Sequence, residues 1–435
     1  MSTDGDIDIF SPAFVVSGLL ITYAFLGIVD YFAGPYPRET VVTALGYLLL
    51  FAASLALGLA SKFGASLAQK LPRVRCEFSR KRLIVLTAVC LPAGIGLFGY
   101  LVQKLALGNP LAILSNLLGF RQGSGRAGTE YLLFAAMSLI EAPFWAWLVR
   151  GRIPAWGRLG LVPYWLLILG VSVLTGARVR VYTAVMGLVY VFHHKKNRIS
   201  LRRAFIAGAL AVVPFALFFQ LQGRIRGDVV TKDAVATVAQ DLQFGRSLGG
   251  LAMRFADAFD GFLTIVDNRD RVDYLWGKSF HDALYLPIPR AWLPDKPSAF
   301  NYEMLHQLAP ENEAVFFGAE YSVLGELYMN FQLAGIVLGG FAFGVLVGMV
   351  NRYYLENRNN SGFLFMYRPL FLSLPMAWMT SGIINTEAHS ILILNAVFGA
   401  LFVALARARH GRMWAFRRSR FAASSLSAPL AATRL

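Results

Sequence analysis

The stretch LGLVPYWLLILGVSVLTGARVRVYTAVMGLVYVFHHKK spans residues 159–196. It holds two apolar runs, 159–175 and 180–193, separated by little more than Arg178 and Arg180. An apolar run of about twenty residues crosses a bilayer as a helix, so the pair reads as a membrane hairpin with arginines at its bend. Arginine is costly at that depth unless an anion or a carboxylate holds it. The bend therefore raises the question of function together with that of fold.

The rest of the chain has the same character. Its 435 residues are 56% hydrophobic and 15% charged, with a mean hydropathy of +0.53. A soluble chain of this size needs far more charge to cover its surface, so the expected class is an all-α polytopic membrane protein. Ten apolar runs are long enough to count as spans: 12–30, 41–61, 83–102, 130–149, 159–175, 180–193, 204–222, 332–351, 363–383 and 388–406. The domains expected are a membrane part over 1–222, a large loop over 223–331, a second membrane part over 332–406 and a basic tail over 407–435. The N-terminus MSTDGDIDIF is acidic and the first run is long, so no cleavable signal peptide is expected. Cys76 lies in a basic stretch and Cys90 in an apolar one, which argues against a disulfide or a thiolate metal site.

The net charge of +16 invites a nucleic-acid reading, and its distribution removes it. With the N-terminus inside, the cytoplasmic segments 62–82, 150–158, 194–203, 352–368 and the tail hold 25 of the 41 Lys and Arg. Short loops set orientation, and these favour both termini inside. The external loop 223–331 carries ten basic and fifteen acidic residues, so it is net negative. The basic excess instead lines the inner face, where anionic headgroups attract it.

No P-loop, no GxGxxG after a strand and no HExxH appears, so neither a cofactor nor a metal is expected. His193 and His194 adjoin two lysines and read as residues of the cytoplasmic interface. What remains is a set of charges on the external side. Arg178 and Arg180 suit a phosphate or diphosphate, whose oxygens match the guanidinium fork; a structural ion pair is the other reading. Arg126 in RQGSGRAGTEY and Arg224 and Arg226 in QLQGRIRGD fall at the same membrane level. In PIPRAWLPDKP, 287–297, four prolines hold Arg290 and Lys296 on a rigid backbone, and Trp292 can stack on a sugar face. GAEYSVLGELYMNF, 318–331, leads straight into the eighth run; as a helix it puts Ser322, Glu326 and Asn330 on one face. NTEAHS, 385–390, reads as a short external turn with Glu387 and His389, the latter able to move a proton near neutral pH. Within the loop, 233–266 has helical apolar spacing through Leu251, Phe255, Phe259, Phe262 and Val266, suiting a helix packed on the loop or lying in the outer interface. Gly340, Gly344 and Gly348 repeat at four-residue spacing, a close helix-packing face.

The order of these features resembles that of the Wzy-type O-antigen polymerases of bacterial envelopes. The motifs are the central arginine pair, then PR-x-x-x-P-x-KP at 289–297, then GE-x-Y-x-NF-x-x-x-G at 325–335. The resemblance implies a GT-C-like, metal-independent glycosyltransferase of the inner membrane. It would join undecaprenyl-diphosphate-linked oligosaccharide units on the periplasmic side, with a chain-length regulator as a possible partner. It puts Arg178 and Arg180 on the family's basic pair, Arg290 and Lys296 on its proline-rich loop, and Glu326, Tyr328 and Asn330 on the segment before the eighth span. Diphosphate binding then falls to Arg126, Arg178, Arg180, Arg224, Arg290 and Lys296, sugar binding to Tyr328, Asn330 and Trp292, and proton transfer to Glu326 or His389. The chain departs from the family where Leu333 and Ala334 replace a frequent glycine, and where the last turn lacks arginine. An O-antigen ligase shares the frame, and a lipid-linked oligosaccharide flippase is the alternative from another class. Flippases and transporters, however, favour related halves and midplane charges.

Overall fold

The computed structural model describes residues 8–74, 76–105, 130–151, 153, 155–175, 178–195, 198–208, 210, 259–285, 288, 292–298, 300–308, 321–369, 386–408 and 414–415. Among these, helices α1 Pro12–Ala33, α2 Arg38–Ala60, α3 Lys62–Lys70, α4 Arg80–Leu105, α5 Glu130–Arg150, α6 Ala155–Leu174 and α7 Arg178–Lys195 form the first half. There follow α8 at 201–208 and α9 at 259–267, then α10 Lys278–Asp282, α11 Phe300–Leu308 and α12 Ser322–Ala334. A π-helical turn, Gly335–Gly339, leads into α13 Gly340–Asn357; α14 at 361–369 and α15 Thr386–Ala406 complete the set. One two-residue antiparallel pair joins Arg73–Val74 to Trp414–Ala415.

Among the described residues, five stretches are long and apolar enough to cross a membrane: Pro12–Phe32, Arg38–Ala60, Arg80–Lys104, Leu132–Arg150 and Ser322–Asn357. Leu159–Leu174 and Asn395–Ala406 are apolar but shorter. The chain is an α-helical, membrane-embedded protein. Local chemistry sets the helix ends. Ser11 accepts from the Phe14 amide and Pro12 opens the first turn of α1, where a missing N–H is harmless. The pair Gly34–Pro35 then follows the last residue of α1, and a proline cannot continue a helix.

The described helix ends sort onto two faces. On one, Tyr354 and Arg358 meet Asp8, Tyr353 donates to the Pro72 carbonyl, Ser361 to that of Val149, and the Ser79 amide to that of Ala406. On the other, the turn after α1 meets the large loop: Tyr36 donates to the Asp260 carbonyl and Thr40 to Asp267. The segments that the basic residues placed on one side of the membrane thus gather at one end of the bundle.

Two apolar cores divide the molecule. One joins α4, α5, α6, α7 and α14 with the end of α15. The other joins α1, α2 and α13 with α9, α11 and α12, so the described part of the large loop shares its core with membrane helices. In α9, Phe259, Phe262 and Val266 are buried, as their spacing predicts. They pack on α1 and α2, with Phe259 against Tyr23 and Phe262 against Tyr47. Phe262 also meets Tyr328 of α12, so α9 packs on the loop as one reading has it, and on membrane helices besides. The first part of that segment, 233–258, lies outside the described residues. The glycine repeat packs α13 on α2. A Cβ on Gly344 would strike the Leu55 carbonyl, and one on Gly58 the Phe341 carbonyl, so the two backbones touch. A Cβ on Gly348 would lie 3.6 Å from the Leu59 carbonyl, so the packing is looser there.

Three local expectations change. The segment 318–331 does not run straight into its span, because Phe331 (φ −146°, ψ 17°) and Gln332 (φ 52°, ψ −137°) break the helix. NTEAHS is helical from Thr386, where the dipole favours Glu387 in the first turn. Arg178 and Arg180 belong to the first turn of α7.

Candidate functional site

The break at Phe331–Gln332 builds the site. Ser322 starts the helix in a left-handed conformation (φ 57°), and its hydroxyl accepts from the Gly325 amide. After the break the chain doubles back. A Cβ on Gly335 would strike the Leu327 carbonyl, and one on Gly339 would lie 2.5 Å from the Leu327 side chain. Residues 322–330 are therefore clamped beside the start of their own span, and all nine are buried. Ser322, Glu326 and Asn330 share a face at i, i+4 and i+8, and each is 0% exposed.

The segment 274–279 closes over that face. The Leu275 amide donates to the Met329 carbonyl at 2.8 Å, and the Gly277 amide to Asn330 Oδ1 at 3.0 Å. Asn330 Nδ2 donates to Ser279 Oγ at 2.8 Å and to the Glu326 carbonyl at 2.7 Å. Ser279 Oγ donates to Glu326 Oε1 at 3.0 Å. A carboxylate taken out of water needs such donors, since an unsatisfied buried polar group costs about 1–3 kcal/mol. Tyr328 stacks near Tyr47 (5.3 Å between ring centres), and its hydroxyl lies 3.3 Å from that of Tyr274.

Backbone strain collects here. Among the described residues, the non-glycine positions with positive φ are Trp276, Ser322 and Gln332. One starts the Glu326 helix, one ends it, and one sits in the segment pinned across it. Each left-handed residue costs on the order of 1–2 kcal/mol, and strain of this kind clusters at working sites.

The other expected site residues fall as follows. Glu326 and Asn330 come together through Ser279 and Gly277, whereas Tyr328 meets Tyr274 and Tyr47. No local pattern signals these partners, since Ser279 lies 47 positions from Glu326. Arg178 is the first residue of α7. Arg180 is half-buried in the other bundle, its guanidinium 4.5 Å over the Phe134 ring. Phe134 lies near the start of α5, whereas Val149 at its far end meets Ser361, so α7 begins on the face that carries α9 and α12. Lys296 is buried and its Nζ donates to the Ile288 carbonyl at 3.1 Å. Trp292 is 81% exposed. Arg126, Arg224, Arg226 and Arg290 lie outside the described residues, as do the side chains of Arg178, Glu387 and His389.

The opposite face holds a cluster that the sequence reading missed. Asp8, His193 and His194 present ligand atoms within 4.8 Å of one another, close enough for a metal ion. Their hydrogen bonds fit protons better. His193 Nδ1 accepts from the Ile199 amide at 3.0 Å, so its proton sits on Nε2, which faces Asp8 Oδ1 at 3.4 Å. His194 Nδ1 meets the Tyr190 carbonyl, which can only accept, and its Nε2 meets the Tyr354 hydroxyl at 2.6 Å. Arg358 Nη1 lies 2.6 Å from Asp8 Oδ2 and repels a further cation. Burial alone raises the Asp8 pKa, but hydrogen bonds from His193, Arg358 and the Phe10 amide, with charge from His194, hold it well below the ordinary value. His193 is thus an interior partner of Asp8, and the interface reading of it is corrected.

No family model, no curated protein and no solved structure matches this chain.

Proposed function

We propose that the protein polymerises oligosaccharide repeat units carried on undecaprenyl diphosphate, at the periplasmic face of a bacterial inner membrane. The observation that carries this reading is the start of α7. Arg178 and Arg180 occupy the first turn of a helix in the membrane domain, where the positive end of the helix dipole adds to their charge. That boundary lies on the face that carries the described part of the large loop and Glu326. A polyprenyl tail stays in the bilayer, so its diphosphate arrives at this level.

The chemistry follows from that placement. The hydroxyl oxygen of one lipid-linked unit attacks the anomeric carbon of another. The bond from that carbon to the diphosphate oxygen breaks, and the lipid diphosphate leaves with the electron pair. Fixed guanidinium groups stabilise the departing charge, and preorganised charge is usually the largest catalytic contribution. The hydroxyl proton goes to a base, for which Glu326 is our choice. The Ser279 hydroxyl, which holds Glu326 now, must then yield to the acceptor's. The frame in this reading has ten spans, GT-C-like, with both termini cytoplasmic.

Deletion of the gene in its host, followed by a gel of surface polysaccharide, tests the reading. The expected result is a polymer ladder that collapses to a single repeat unit. Polymer kept on its lipid carrier but lost from the lipid A core marks a ligase instead, and an unchanged ladder overturns the proposal.

A further inference from the structure

We propose that the segment 276–284 is an anchor seated in the interfacial layer of the bilayer, with Trp276 as its principal contact. The turn at Trp276 is costly. Trp276 adopts φ 47° and Gly277 φ 89°, so two successive left-handed residues form the turn, and only the glycine does so freely. Both neighbours of Trp276 are pinned, Leu275 to the Met329 carbonyl and Gly277 to Asn330. The strained turn thrusts the indole outward, 67% exposed. The ring touches Tyr274 on one side only, and strain that leaves most of a large apolar ring uncovered calls for a partner outside the protein.

The neighbouring residues identify that partner. Phe280 stacks on Phe331 with ring planes 13° apart. Phe331 is exposed and sits at the bend after which the apolar helix from 333 to 357 descends. Immediately beyond it, Leu333 and Leu338 are exposed on the span's outer surface, which faces lipid. Trp276, Phe280 and Leu284 therefore continue the lipid-facing surface across the bend. The helix from 333 to 357 is about 37 Å long, more than the ~30 Å hydrocarbon layer, so its upper end reaches the headgroup level. Tryptophan is favoured at that depth, with its ring in the apolar layer and its N–H toward water. The charges of α10 are neutralised locally: Lys278 lies 3.4 Å from Asp282 and 3.3 Å from Glu303, and His281 lies 3.2 Å from Asp282. That pairing lowers the cost of bringing the segment to the membrane surface. Through Gly277 and Ser279 the anchor is tied to Asn330 and Glu326, so membrane depth sets the position of the Ser279 hydroxyl.

Such an anchor would serve the protein whichever reaction it performs. The test uses full-length protein in lipid nanodiscs containing phosphatidylcholine brominated on its acyl chains. Tryptophan emission of the wild type is compared with that of Trp276→Phe, so the difference reports Trp276 alone. Loss of a bromine-quenched component in the variant is the expected result. A Trp276 component that brominated lipid leaves unquenched overturns the anchor, whether aqueous iodide reaches it or a second copy of the chain covers it. Should Trp276→Phe fail to fold, Leu284→Cys carrying a polarity-sensitive dye gives the same decision. A blue-shifted emission quenched by brominated lipid supports the anchor, and a water-like emission contradicts it.

Discussion

At the scale of single residues, the arginines of α7 and the buried glutamate of α12 make separable demands. Arg178→Lys and Arg180→Lys keep charge but lose the two-pronged fork that matches a diphosphate. Each substitution should slow polymerisation by about tenfold or more with normal protein levels in the membrane, an effect worth at least ~1.4 kcal/mol of transition-state stabilisation. Full rates in both variants would remove the clamp. Glu326→Gln still accepts the Ser279 hydrogen bond but cannot take a proton. As a base its loss should cost on the order of 10²–10⁴ in rate with donor binding nearly intact, whereas a purely structural Glu326 would show reduced stability instead. Ser279→Ala separates the two, since it removes that hydrogen bond but keeps the carboxylate, and should leave the rate far less affected than Glu326→Gln. The spacing of Ser322, Glu326 and Asn330 was legible in the sequence because helical periodicity fixes it. Their contact with Ser279 was not, because no local pattern links positions 47 residues apart.

At the scale of elements, the apolar runs located the helices, while the breaks and the buried pairs escaped. Phe331 and Gln332 carry no glycine or proline signal, so the reversal there depends on tertiary packing, with Gly335 admitting the Leu327 carbonyl. Arg368 reads as one more basic residue at a membrane edge. In the structure it is buried in α14, 3.2 Å from Glu141 of α5 and 4.2 Å over the Trp145 ring. Glu141 also accepts from Trp145 Nε1 at 3.1 Å. Breaking such a pair from one side strands a charge and costs about 3–5 kcal/mol, whereas replacing both with apolar groups can be neutral. Glu141→Leu and Arg368→Met should each lower the melting temperature in detergent, and the double variant should recover most of the loss. Additive losses would show that the pair is not coupled. The Asp8 cluster gives a pH-dependent counterpart. Because its folded pKa is depressed below the reference value of 3.8, its stabilisation is complete above that value and fades as pH falls toward the folded pKa. Asp8→Asn should therefore melt earlier than the wild type at pH 7, with the gap narrowing below about pH 4. A gap that widens in acid would contradict the assignment of Asp8 as the ionised partner.

At the scale of the whole molecule, the alternation of basic and apolar segments anticipated which helix ends meet. Charge patterning makes that visible, because topology is set by where lysine and arginine fall. The sharing of a core between α9, α11 and α12 of the large loop and α1, α2 and α13 was not visible, since an apolar stripe does not name what covers it. This arrangement places the strained hairpin around Glu326, the exposed Trp276 and the start of α7 on one face of the protein, as the proposed reaction between two membrane-anchored substrates requires. The most direct measurement reconstitutes the purified protein in liposomes with no ion or voltage gradient and with EDTA present. The substrate supplied is a polyprenyl-diphosphate-linked oligosaccharide. We expect two-unit and longer glycans on the lipid carrier, with one free polyprenyl diphosphate released for every bond formed. Substrate that stays at one unit, or that only changes leaflet, would contradict the account.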